Sequence, residues 1–281
     1  MESIRGDVLL ISGDRARLWP ASLMGEQKMS QLRAKGFDHY HKHIVMSMNS
    51  KMQTQDIIRA VIGFTIYIFL APSILFISAG TLKWPMAWVY VVLSLAATIG
   101  SRLIVLKRNP DTLVERARFT TSEGTKSWDR LLVAIVALLG PMAIVIVAGL
   151  DQRFGWSAIF PEQVQFLAVL ALAAGYGLGV WAMVENRYFS AVARIQDDRG
   201  QVVVRTGPYR FVRHPAYAGA LAVALAVPVM LDAAWALVPA LVMMVAVIIR
   251  TGLEDRMLRE GLDGYECYAR QTQIRLIPGV W

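Results

Sequence analysis

Residues 207–217 read GPYRFVRHPAY. His214 stands between Arg213 and Pro215, with Tyr209 and Tyr217 close by. Histidine, tyrosine and arginine together can hold an anion, orient a hydroxyl or carry a proton. Pro215 suits the first turn of a helix, where a missing N–H costs nothing. His214 is then expected at a helix N-terminus, beside free N–H groups and the positive end of the helix dipole. Such a place suits an acceptor group on a ligand; a loop histidine satisfied by its neighbours is the plainer use. Further on, Arg250 and Glu254 are four residues apart and so neighbours on one helix face. An ordinary surface ion pair is the plain use of that spacing. The last candidates, Tyr265 and Tyr268, precede an extended piece at Ile274–Ile277. That piece could close over a pocket or anchor at an interface.

The elements that must position these residues are apolar. The chain has 281 residues and is 56% hydrophobic, with a mean hydropathy of +0.45. The excess over the roughly 45–50% of soluble domains is gathered into runs long enough to cross a hydrocarbon core about 30 Å thick. The expected spans are Ile57–Ala79, Pro85–Leu106, Leu131–Leu150, Pro161–Val184, Ala216–Leu231 and Ala234–Ile249. An all-α polytopic membrane protein of about six helices follows. Pro72 can bend the first span. Trp84, Trp88 and Tyr90 suit an interfacial belt at the second. The last two runs read as a hairpin turning near Asp232, or as one long kinked segment. Small residues around Gly219 permit close helix approach.

Charge orients the spans. Loop 107–130, loop 185–213 and the stretch after Ile249 are rich in arginine and lysine, whereas the opposite connections carry only Lys83 and Arg153. By the positive-inside rule both termini and both long loops are cytoplasmic. The hairpin then brings Arg250 and Glu254 back to the level of His214 and Tyr217, so the four are expected in one polar pocket. The net charge of +8 does not form the stripe with interleaved aromatics that nucleic acid requires, and no nucleic-acid partner is expected. Cys267 is the single cysteine, so no intrachain disulfide framework exists. Residues 1–55 lack the apolar core of a signal peptide and read as a poorly ordered or surface-lying tail. His39, His41 and His43 alternate in it as on a strand, without a second ligand cluster, and no metal is expected. Residues 56–184 form a four-helix membrane region. Residues 185–281 hold the polar groups, beginning with a β-prone run at Val202–Val204 and a Gly207-Pro208 turn.

The last third resembles the isoprenylcysteine carboxyl methyltransferase family of integral membrane methyltransferases. The matching pieces are QVVV (201–204), GPY (207–209), RHPAY (213–217), the Arg250 and Glu254 pair, and the closing GYECY and RLIPGVW. The resemblance covers residues 185–281 and reaches the earlier spans only by general pattern. It implies a tight cytosolic pocket for S-adenosylmethionine without a Rossmann fold, in keeping with the lack of a GxGxxG between strand and helix. Carried over by motif, the cofactor is expected on Gln196, Gln201, Val202, Val203, Val204, Tyr209, His214, Pro215, Ala216, Tyr217 and Glu254. Arg250 is expected to face the acceptor, with Arg250 and Glu254 as the catalytic pair. Asp255 stands where the family often has a second, longer acid, which puts a role for it in doubt.

The resemblance implies an S-adenosylmethionine-dependent methyltransferase, of carboxyl O-methyl type, among membrane lipids and acting on a lipophilic acceptor from the bilayer: a prenylcysteine carboxylate or, since the first half departs from the family, a small lipid, isoprenoid or thiol. The bacterial inner membrane or the endoplasmic reticulum is the expected location. Phospholipid N-methyltransferases and NADPH-dependent sterol or steroid reductases carry similar C-terminal segments and stay open as alternatives. So does a non-enzymatic membrane assembly protein, although a scaffold has no need of His214, Tyr217, Arg250 and Glu254 together.

Overall fold

A computed structural model describes residues 8–13, 41–46, 54–117, 125–157, 160–277, 279 and 281. The chain divides into two compact units, Met1–Ile57 and Ile58–Trp281. In the first, β1 (Val8–Gly13) and β2 (His41–Met46) pair in parallel, with Val8 opposite His41. These strands add to the all-helical expectation. His41 and His43 share one face of β2 by the two-residue period; His39 and most of the expected tail lie outside the described residues.

In the second unit every regular element among the described residues is a helix. They are α1 (Thr54–Ala79), α2 (Pro85–Arg108), α3 (Pro110–Ala117), α4 (Ser127–Ala134), α5 (Gly140–Phe154), α6 (Glu162–Glu185), α7 (Pro215–Met230), α8 (Leu237–Gly261) and α9 (Tyr265–Gln271). A π-turn at Ile135–Leu139 joins α4 to α5 without a break. Prolines start the helices where the sequence places them: Pro85 and Pro215 lie in first turns, and Pro161 caps α6. Gly155, at φ 63°, ends α5 in the left-handed conformation that glycine tolerates.

Among the described residues, four helices are long and apolar enough to cross a membrane: Pro85–Arg108, Ser127–Phe154, Glu162–Glu185 and Ala234–Gly261. Pro215–Met230 is apolar but shorter, and α1 runs for 26 residues with an apolar end at Ile68–Ala79. Four of the six expected spans are thus found among the described residues, with α1 and the shorter α7 at the places of the other two. With 16 residues, α7 reaches only about 24 Å at 1.5 Å per residue. The segment 216–249 is a hairpin. Its turn is carried by Asp232 at φ 51°, and Leu221, Val247, Tyr217 and Met244 pack between its two helices.

Helices in lipid associate through close packing, not through escape from water. A Cβ on Gly219 would lie 2.5 Å from the Gly175 carbonyl oxygen, and one on Gly149 would lie 2.7 Å from that of Leu75. These glycines set how closely α7 meets α6 and how closely α5 meets α1. Outward, Phe69, Ile77, Phe166, Leu170, Val242 and Ile249 stay exposed, an apolar surface too extensive for water. The aromatic belt departs from expectation. Trp88 is exposed and donates from Nε1 to the Leu82 carbonyl at 2.9 Å, whereas Trp84 and Tyr90 belong to the core. Each lies on the inward side of the helix start, where packing decides against the interface.

The β-prone run Val202–Val204 forms no strand. No strand is described in this unit for it to pair with. Val203 and Val204 instead pack beside Tyr209, Tyr265 and Tyr268.

Candidate active site

The N-terminus of α7, the C-terminal third of α8 and the start of α4 meet at one end of the helical unit. His214 is the N-cap residue of α7, as Pro215 foretold. Its ring stacks on Tyr217, with centroids 5.8 Å apart and 16° between the planes. Four residues form the centre. Tyr217 donates its hydroxyl to Glu254 Oε2 at 2.6 Å. The Arg250 guanidinium lies over the Tyr217 ring, 5.3 Å from its centroid. Arg250 donates from Nε to Asp129 Oδ1 at 2.7 Å and from Nη2 to Asp129 Oδ2 at 3.2 Å. His214, Tyr217, Arg250 and Glu254 are thus brought together, as the hairpin requires. Arg250 and Glu254, though four apart, take different partners: Asp129 for one, Tyr217 for the other.

Asp129 was not anticipated. Its one visible signal is an acidic residue beside Arg130, just ahead of an apolar run. It is fully buried and also accepts the Ala193 N–H at 2.6 Å. That bond draws loop 185–213 to the start of α4.

Asp255 is the larger surprise. Beside Glu254 on α8, it is 1% exposed and accepts from four elements. Arg213 donates to it from Nε at 2.8 Å and Nη2 at 3.2 Å. Arg259 donates at 3.1 Å, Arg275 at 3.2 Å and the Tyr265 hydroxyl at 3.0 Å. His214 Nε2 lies 3.4 Å away. A shorter acid suits a position enclosed on all sides. Asp255 is the knot that ties the RHPAY stretch to the closing segment.

The closing segment completes the knot. Arg213 N–H donates to the Ile274 carbonyl at 2.9 Å and His214 N–H to that of Arg275 at 3.0 Å. Arg213 Nη1 further contacts the carbonyls of Thr272 and Gln273, at 2.8 and 2.9 Å. Ile274–Ile277 therefore lies against the His214 backbone. Tyr268 donates its hydroxyl to the Tyr209 carbonyl at 2.6 Å. Burial pushes the Tyr268 phenol up to about 12 and those of Tyr209 and Tyr265 well above the ordinary phenol range. All three keep their protons as donors at neutral pH.

Other expected ligand residues are placed differently. Gln196 is buried and consumed internally. Its amide donates to the Tyr188 carbonyl at 2.6 Å, its side-chain oxygen accepts from Arg199 at 2.5 Å, and its N–H goes to Gln201 Oε1 at 2.7 Å. Tyr209 donates to the Ala182 carbonyl at 3.3 Å and anchors the end of α6. Ala216 packs with the Tyr209 and Tyr265 cluster. Val202–Val204 run extended, and among the described residues their backbone groups make no backbone–backbone hydrogen bond. A cavity of about 340 Å³ opens beside the site, lined by Arg213, Arg259, Ala269, Gln273, Arg275 and Trp281. None of the expected cofactor residues lines it.

Farther out, Arg194 joins Glu115 and Asp198, donating to each at 2.9 Å. The two carboxylates hold its guanidinium above its ordinary value, and Arg194 in turn holds the Asp198 carboxyl down. This bridge ties α3 to loop 185–213.

The model of the isoprenylcysteine carboxyl methyltransferase (ICMT) family matches residues 167–260. That stretch is an ICMT family domain. The match runs from within α6 to the last turn of α8, and so holds Gln201–Tyr217, Arg250, Glu254 and Asp255. Asp129, Tyr265, Tyr268 and the closing segment lie outside it. No curated protein matches the chain. An ICMT family domain joined, among the described residues, to several long apolar helices is the make-up of an integral membrane protein.

Proposed function

We propose that the chain uses S-adenosylmethionine to methylate a lipophilic acceptor at the membrane boundary, and that the acceptor is a carboxylate of prenylcysteine type. The observation that carries this reading is the Asp129, Arg250, Tyr217 and Glu254 cluster at the polar end of an apolar hairpin within an ICMT family domain. The residues fit the cofactor in kind. Glu254 offers a carboxylate for hydroxyl or ammonium groups, and the open backbone edge of Val202–Val204 offers donors and acceptors for a nucleoside. S-adenosylmethionine, when bound, supplies a sulfonium methyl; the new O–CH3 bond forms as the S–CH3 bond breaks, and its electron pair stays on sulfur.

Tyr217 holds Glu254 in one orientation, and a held ligand is what raises rate by alignment. Arg250 presents a fixed cation to the acceptor oxygen. No proton needs to move, because a carboxylate is already ionised. The exposed apolar faces of α6 and α8 give a lipid-soluble acceptor a lateral approach. The arginine-rich loops support a cytoplasmic site with both termini on the same side.

The test is methyl transfer from labelled S-adenosylmethionine to N-acetyl-S-farnesyl-cysteine by the detergent-purified protein. Turnover is expected, with kcat/KM about 100-fold lower in Glu254→Ala. Label on phospholipid headgroups instead would turn the reading to an N-methyltransferase. Saturable binding of NADPH without binding of S-adenosylmethionine would turn it to a reductase.

A further inference from the structure

Arg250 has five N–H donors, and the protein spends a particular subset of them. Asp129 takes Nε and Nη2 as a fork. The Ala191 carbonyl accepts from Nη2 at 2.9 Å. Nη1 makes no protein hydrogen bond among the described residues. The pair is deeply enclosed, with 7% of the Arg250 side chain and none of the Asp129 side chain exposed. The fork fixes the guanidinium plane over Tyr217, whose hydroxyl in turn holds Glu254.

We propose that Asp129 is a positioning residue for the methyl acceptor: it holds Arg250 by its Nε and Nη2 edge so that Nη1 is the donor left to one acceptor oxygen. This rests on the methyltransferase reading. It narrows that reading in two ways. The acceptor is gripped at one oxygen by Nη1, not across both by a fork. The Arg250 charge is already balanced by Asp129, so an acceptor is selected by where its oxygen lies more than by its charge. The specificity of the site then depends on α4, which lies outside the family match, as well as on the motif residues of α7 and α8. A lysine at 250 could not serve, because a point charge has no edge to fix.

The test compares wild type with Asp129→Asn, using N-acetyl-S-farnesyl-cysteine as acceptor. An asparagine in that place can accept one bond but cannot hold the fork with its charge. KM for the acceptor is expected to rise about tenfold, while the Kd for S-adenosylmethionine stays at the wild-type value; the melting temperature falls, because a buried cation loses its charged partner. If this variant does not fold, Asp129→Glu keeps the charge and displaces the fork by one methylene, with the same split expected. Wild-type acceptor KM in the variants overturns the role of Asp129, and so does a loss of cofactor affinity that matches the rise in acceptor KM. A wild-type protein without turnover removes the methyltransferase reading and this inference with it.

Discussion

Asp255 and Glu254 are adjacent carboxylates with opposite duties. Glu254 is half-buried and has Tyr217 as its hydrogen-bond partner. Asp255 points the other way on α8, into Arg213, Arg259 and Arg275. Burying a carboxylate is costly unless its lone pairs are filled, and removing the charge leaves buried cations without a partner. Arg213 is 4% exposed, so it cannot turn to water. Asp255→Asn should therefore lower stability by about 3–5 kcal/mol, read as a large fall in melting temperature in detergent. Arg256→Ala, at the exposed Arg256–Glu260 pair on the same helix, should leave it nearly unchanged. An equal response of the two variants would mean that the knot at Asp255 carries no special share of stability.

Glycine pairs decide the geometry at the scale of helices. The α6–α7 crossing has Gly175 and Gly219 backbone against backbone, and a Cβ on Gly219 has no side chain to displace. The crossing carries His214 and Tyr217 at one end of α7, so its spacing reaches the site. Gly219→Ala should destabilise by about 1–3 kcal/mol through overpacking and reduce turnover with it. Gly177→Ala, with open space at its Cβ, should do neither. Equal melting temperatures for the two variants would show that α6 and α7 yield freely at this crossing. The other end of the hairpin is held differently. Asp232 accepts the Phe160 N–H at 2.9 Å. Asp151 accepts from the N–H and hydroxyl of Ser157 and from the Trp235 N–H. Short acids and a serine thus close the loops far from the chemistry.

Across the whole helical unit, the site is assembled from distant parts of the chain. The closing segment 274–281 contributes Arg275 to the knot and two carbonyls to the backbone of Arg213 and His214. Removing residues 274–281 leaves those N–H groups and one face of the Asp255 carboxylate unmet. The truncated protein should insert in membranes, since none of the four long apolar helices is touched, yet its affinity for S-adenosylmethionine should fall about tenfold or more. Calorimetry on the purified protein reads this directly. Full affinity in the truncated chain would make the segment an interfacial anchor and not a cover for the site.

The apolar helices, the hairpin and the level at which His214, Tyr217, Arg250 and Glu254 meet were all legible in the chain before folding. Those properties follow from local quantities: run length, proline at helix starts, glycine at close crossings and a four-residue spacing. The ICMT segment was legible for the same reason, since its motif residues are spaced along two adjoining helices. Which partner each charge takes emerged only on folding. Asp129 meets Arg250 across 121 positions of chain, and no periodicity links residues so far apart. Asp255 had a role in doubt on sequence alone, and only folding surrounds it with Arg213, Arg259 and Arg275. Gln196 was expected beside the cofactor, and only folding sets its polar atoms against Tyr188, Arg199 and Gln201. The direction of a buried polar group depends on what packs around it, and packing is settled only when the whole chain has folded.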